Sequence, residues 1–161
     1  LFDVEDDSVR DAFSTSERVF GRQEVIVTND KKNILNVVKN PVGLDQVLNL
    51  VKLEKEPFTL VALLNNRPAD GVDLAWLNDT NFESLTSCDI KHIITGGIAV
   101  DTMTERLVKA GFESDSIGRT HSLEDAVRAI ENAPTTQVHM LATYTAMLEI
   151  RKALTDKGHL K

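Results

Sequence analysis

Cysteine is almost missing from this sequence: Cys88 is the single one in 161 residues. One cysteine excludes an internal disulfide framework and any zinc site built from several thiolates. The expectation is a protein of the reducing cytoplasm. Basic residues are short as well. Lys and Arg number 18 against 25 Asp and Glu, a net charge of −7, which argues against a nucleic-acid surface. No apolar run approaches the length of a membrane span, and the opening LFDVEDDSVRDAF lacks the basic and apolar regions of a signal peptide. The phosphate-cradling pattern GxxxxGK[ST] occurs nowhere. There is no initiator Met and the chain opens within a helical pattern, so the expectation is a C-terminal domain taken from something longer.

What is present suits one ordinary domain. Hydrophobic residues make up 42% and charged residues 27% of the chain, a balance typical of globular proteins. Val9, Ala12 and Phe13, then Val19 and Phe20, predict a short helix leading into FGRQE. EVIVTND and KNILNVVKN read as two strands joined by a hairpin turn at NDKK. Leu44, Val47, Leu48 and Val51 share one helical face. FTLVALL is a continuous apolar run of the kind buried on both faces of a parallel sheet. NFESLTS reads as a short helical segment, IKHIIT as a strand, and GGIAVDTMTERLVKAGF as a glycine break and a helix carrying Met103, Leu107, Val108 and Ala110, closed by Gly111. SIGRT is a weak strand, SLEDAVRAIENAP a helix opened by Ser122 and stopped at Pro134, QVHMLAT the last strand and YTAMLEIRKAL the last helix. Apart from the first hairpin, strands alternate with helices. The predicted fold is therefore α/β: a Rossmann-like, doubly wound, mostly parallel sheet with an antiparallel N-terminal hairpin. Residues 1–24 read as the end of a preceding region and a linker, and 25–161 as the domain.

In such sheets ligands sit beyond the carboxyl ends of the strands, and KNPVG, NNRPADGVD, TGG and ATYT all fall there. Asn36, Lys39 and Asn40 end a strand ahead of a helix that Gly43 enters, a turn whose free N–H groups favour anions. Asn-Pro-x-Gly is, on its own, also an ordinary turn and helix start, and Thr95-Gly96-Gly97 before a helix is more often geometry than a site. The segment LLNNRPADGVDLAWLND is more telling. It sets Asp70, Asp73 and Asp79 around Trp76, the only tryptophan. Carboxylates serve as metal ligands, general bases or orienting partners of a histidine, although single loop aspartates are usually structural. An aromatic in a polar loop points to burial against a partner. His92, His121, His139 and His159 lack metal-like spacing: His92 and His139 read as strand residues and His159 as tail. Cys88 has no sequence-local activating partner and reads as a small buried residue. No complete catalytic set lies in this chain.

FGRQE followed by a strand and VVKNPVG is similar to the start of the C-terminal domain of the Mur ligase superfamily. LLNNRPADGVDLAWLNDTNFE, TGGIAVDTMTERLVKAGF and HMLATYTAMLEIRKAL extend the resemblance to its MurT branch, over nearly the whole chain. That resemblance implies the C-terminal domain of the ATP-dependent subunit of lipid II isoglutaminyl synthase. This enzyme activates the D-glutamate of lipid II as an acyl phosphate and amidates it to D-isoglutamine for peptidoglycan synthesis. The implied partner is a GatD-type glutamine amidotransferase that supplies the ammonia. The family's P-loop, Mg2+ site and cysteine zinc ribbon belong to a central domain that this sequence does not contain, so the chain by itself is expected to be inactive. Asn36, Lys39 and Asn40 are the implied nucleotide contacts, although Lys39 stands where other Mur ligases have His, and Asn36 where many have a ribose-contacting Asp. In the family an aspartate of this subunit completes the glutaminase triad. Asp73 is the first candidate, Asp79 the second and Asp70 the third, with Trp76 anchoring the interface. Ala75 and Leu77 depart from the family, where Ser and an aromatic are expected. The competing readings are a Mur ligase or folylpolyglutamate-synthase-like enzyme that adds an amino acid, and a non-catalytic nucleotide- or protein-binding domain.

Overall fold

The computed structural model describes residues 21–158; the helix expected before Phe20 and the tail around His159 lie outside them. Asn29, with φ of 52°, turns the chain between β1 (Glu24–Thr28) and β2 (Lys31–Val37), a conformation Asn tolerates better than most residues. This antiparallel pair runs from Glu24 opposite Leu35 to Thr28 opposite Lys31. Helix α1 (Pro41–Val51) begins where Asn40 accepts a hydrogen bond from Gly43 N, with Pro41 at the first helical position. Then follow β3 (Phe58–Leu63), β4 (Ile90–Gly96), α2 (Val100–Lys109), β5 (Ile117–Arg119), α3 (Leu123–Glu131), β6 (Gln137–Ala142) and α4 (Tyr144–Asp156).

The strand order is β1-β2-β6-β3-β4-β5. β2, β6, β3, β4 and β5 are mutually parallel, so only the first hairpin breaks the doubly wound pattern. All six residues of β3 are buried, which is why its sequence is apolar without alternation. Leu60, Ala62 and Leu141 face a core closed by α1 and α2, and Val61, Leu63 and Met140 face one closed by α3 and α4. Between β3 and β4, Leu77, Phe82 and Leu85, on two 3-10 turns (Ala75–Asp79 and Phe82–Leu85), plug the first core.

The GRQE part of FGRQE, residues 21–24, has a structural explanation. Gly21 sits at φ +70°, and a Cβ there would come within 2.6 Å of Val37 Cγ2. Gly21 N donates to the buried Glu24 carboxylate, whose other oxygen accepts from Arg151 Nε at 2.9 Å. The motif thereby ties the entry of the domain to β2 and α4.

At the opposite rim His139 is buried edge-on to Phe58, with its Nε2 3.1 Å from Glu54 Oε2 and its Nδ1 without a partner. Burial pushes the imidazole below its ordinary 6.5, only partly offset by Glu54. Burial also raises the Glu54 carboxyl, but the N–H groups of Glu56 and Lys55 together with His139 hold it below 4.5. Because the unfolded chain binds a proton at His139 before the folded one does, stability falls as pH drops through 6.5. Loss of the Glu54 contribution follows only below 4.5. The urea midpoint is therefore expected to fall from about pH 7 to about pH 5, and His139→Gln to flatten that slope.

Candidate functional site

The carboxyl ends of β2, β6, β3 and β4 form one rim, and Asn65 ties those of β3, β6 and β4 together. It lies two residues beyond the end of β3 and is fully buried. Its backbone N donates to Thr143 Oγ1 (2.8 Å), and its Nδ2 to Thr145 Oγ1 (3.0 Å) and Glu149 Oε2 (3.1 Å). Its Oδ1 accepts from Ile98 N at 2.9 Å. Every hydrogen-bonding group of the amide is thus used. Gly97 lets this happen: at φ +93°, a Cβ there would come within 2.4 Å of Leu64 O and 2.9 Å of Asn65 Oδ1. The Gly-Gly of the sequence is geometry.

The acidic loop is tied into the same network. Asp70, only 6% exposed, accepts from Thr145 N (2.7 Å), Thr145 Oγ1 (2.6 Å) and Arg67 N (3.1 Å). An ion pair between Arg67 and Glu149 closes the circuit. Both Asp70 oxygens are engaged inside the fold, so its carboxylate serves the loop's attachment to α4 and does not present itself outward. The two segments most distinctive in the sequence, PADG and ATYT, are therefore halves of one hydrogen-bonded joint.

Asp73 and Asp79 do present themselves. Both are exposed. Asp73 Oδ1 accepts from Ala75 N at 2.9 Å and so starts the 3-10 turn, while its other oxygen makes no hydrogen bond within the described residues. Val72 beside it is 65% exposed. Trp76 is half-buried, packed against the α1–α2 core. Its neighbour Leu77 takes the fully buried position, so only part of the indole remains for another surface.

A second feature of the rim is a groove of about 640 Å³ between the end of β2, α1 and the start of α4. Asn36, Lys39 and Asn40, the three nucleotide contacts expected from the sequence, all line it, with Arg22 and Tyr144. Asn40 is occupied as the cap of α1. Lys39 and Arg22 are exposed cations. Asn36 is 3% exposed; its Oδ1 accepts from Gln23 N and Gln23 Nε2, which leaves Nδ2 buried and without a partner. An unpaired buried donor costs about 1–3 kcal/mol, and an acceptor brought to the groove would remove that cost. The donor set suits a hydroxyl-rich, anionic ligand such as a nucleotide, but no phosphate cradle accompanies it.

Of the remaining candidates, His121 lines a small cavity of about 190 Å³ at the rim with Asn65, Gly97 and Ile98; the others stay apart from it. His92 and His139 lie in β4 and β6, as expected, and the Cys88 thiol, half-buried, is pushed up by burial. Among the described residues no cluster of His, Cys, Asp and Glu could hold a metal ion, and no helix is long and apolar enough to cross a membrane. Sequence reasoning missed Asn65, Thr145, Glu149 and Arg106. An Asn at the end of the apolar run FTLVALL and the Thr-x-Thr at the start of α4 were the available signals; nothing marked Arg106.

Comparison with solved structures defines the class first. The fold matches folylpolyglutamate synthase of Thermotoga maritima with a TM-score of 0.61 at 18% identity, covering 96% of this chain and 35% of that one. It also matches Thermotoga maritima UDP-N-acetylmuramate-alanine ligase with a TM-score of 0.59 at 11% identity, covering 94% and 35%. At such identities the likeness is one of fold: the domain shares the fold of the matching third of these two proteins. The particular family follows from sequence. Residues 37–147 match the MurT ligase C-terminal family, and the chain belongs to it. It is 40% identical over 149 residues to the MurT subunit of lipid II isoglutaminyl synthase (glutamine-hydrolyzing) from Streptococcus pneumoniae, covering 92% of this chain. It is 30% identical over 111 residues to the Staphylococcus aureus subunit, covering 68%. The chain spans 33% and 25% of these relatives' own lengths.

Proposed function

We propose that this chain is the C-terminal domain of the ATP-dependent subunit that amidates the D-glutamate of lipid II to D-isoglutamine, working in the cytoplasm with a GatD-type glutaminase. The observation that carries the reading is the acidic loop: its base is locked to the rim through Asp70, while Asp73 is held outward with a free carboxylate oxygen. A carboxylate so placed, in a chain without its own nucleophile and base, suits a shared triad in which it orients a histidine of the glutaminase. Asp79 is the next candidate, and Trp76 contributes a partial contact. The loop favours this reading over that of an amino-acid-adding ligase, which needs no glutaminase partner.

The β2 groove would face ATP held chiefly by another domain, with Asn36 directed to the sugar and Lys39 to the phosphates. Mg2+ and the zinc of this family belong to that other domain. Without a P-loop the phosphates lose the backbone cradle and lysine that supply most of the binding. The 161-residue chain is therefore expected to give no saturable heat with micromolar ATP; a clear isotherm would relocate the nucleotide site.

The reading is tested by co-purifying the full-length protein with a candidate glutaminase and supplying lipid II, ATP and glutamine. Conversion of the D-glutamate carboxylate to an amide, read by mass spectrometry, supports it. A product extended by an amino acid, or no ATP consumption, refutes it.

A further inference from the structure

Arg106 is the one charge the described structure buries beneath the acidic loop, and its bonding is unusual for a buried guanidinium. It sits in the last turn of α2, 5% exposed, with its guanidinium carbon 5.5 Å from the centre of the Phe82 ring. Nε donates to Leu77 O at 2.8 Å, and Nη2 donates to Thr80 O at 2.5 Å and to Glu83 Oε2 at 2.9 Å. Two of these three acceptors are backbone carbonyls that bracket the end of the 3-10 turn carrying Trp76 and Asp79.

Removing a guanidinium from water costs several kcal/mol, and a packed apolar side chain of similar volume is often no worse for stability. A Met at 106 could cover Phe82 and fill the space. What it could not do is fix two carbonyls with a rigid planar fork. The same flank has a second tie, Asn81 N to Asp45 Oδ1 on α1 at 2.8 Å. On the other flank Asp70 joins the loop to α4. The segment between, with Asp73, is thus a bridge clamped at both ends. The Glu83 carboxyl is held below its usual range chiefly by its hydrogen bond to Arg106, so the ion pair persists at neutral pH.

We propose that Arg106 is a positioning residue for the glutaminase-facing loop, setting the height and direction of Asp73 and Asp79 through the carbonyls of Leu77 and Thr80. This rests on the reading of the loop as part of a shared triad. An orienting carboxylate tolerates little displacement, because a shift of about 1 Å can cost roughly 10²-fold in rate. The ligase chemistry, in contrast, sits on the β2 groove side and needs no contact with Arg106.

The test uses the full-length protein assembled with its glutaminase, supplied either with glutamine or with ammonium chloride as nitrogen source. Arg106→Met is expected to lower glutamine-dependent amidation about tenfold or more and leave ammonia-dependent amidation within about twofold. Hydrogen exchange across residues 75–85 should quicken by about tenfold, as expected for the loss of two charge-assisted bonds, with exchange in β3 unchanged. Arg106→Lys, which keeps the charge and one donor, serves if the Met variant fails to fold, and should shift the same ratio by a smaller factor. Equal losses with both nitrogen sources would make Arg106 a fold-stabilising residue and overturn the proposal. So would faster exchange with an unchanged ratio. Asp73→Asn and Asp79→Asn, run alongside, separate the two levels. If neither alters glutamine use, the shared-triad reading fails; if either does while Arg106→Met does not, only the positioning role fails.

Discussion

Asp73→Asn in the full-length complex is expected to depress glutamine hydrolysis by about 10²- to 10⁴-fold while the complex stays assembled. The imidazole of a Cys–His pair must present one nitrogen to the thiol; a carboxylate on the other N–H fixes that tautomer and stabilises the imidazolium. Asn keeps the shape and the bond to Ala75 N but not the charge. The thiolate is already a good nucleophile, so the loss is expected to fall short of that in serine enzymes. Amidation fed with free ammonia should persist, since it bypasses the glutaminase. Asp79→Asn should have a smaller effect. Asp70→Asn should act differently, loosening the joint to Thr145 and lowering both stability and coupling.

Asn65→Ala is expected to destabilise the domain by roughly 3 kcal/mol, because it empties a fully buried position and strips partners from Ile98 N, Thr145 Oγ1 and Glu149 in a partly buried network. For a domain of this size that corresponds to a fall of about 6–12 °C in Tm. Asn65→Asp should do comparable harm, since it replaces the amide donors with a charge facing Glu149. Thermal denaturation followed by circular dichroism measures both. A loss below about 1 kcal/mol for the Ala variant would show that the rim network is replaceable by water.

The sheet was legible because its signals are periodic and local. Alternating strands and helices gave the doubly wound order, Asn29 and Asp30 gave the hairpin, and Ser122 caps α3 by accepting from Asp125 N as its position suggested. The weak strand at Ile117–Arg119 exists, although it is short and lies at the edge. The candidate site was legible only as a set of neighbours at one rim. Which aspartate faces inward could not be read, because Asp70 is selected by Thr145, 75 residues later. The partial burial of Trp76 was hidden for a related reason. Leu77 and the 3-10 turn draw the indole against the core, and a single polar-looking loop carries no period to announce that. Arg106 lay outside any pattern, since on a helix with an outward polar face a lone Arg looks like solvent-facing charge.

The most direct measurement is a structure of the full-length protein bound to its glutaminase. The account predicts an Asp73 carboxylate oxygen at hydrogen-bonding distance, about 2.6–3.2 Å, from a ring nitrogen of the glutaminase's active-site histidine. A complex in which the loop from Val72 to Asp79 faces solvent, with that histidine oriented by a carboxylate of the glutaminase itself, would contradict it.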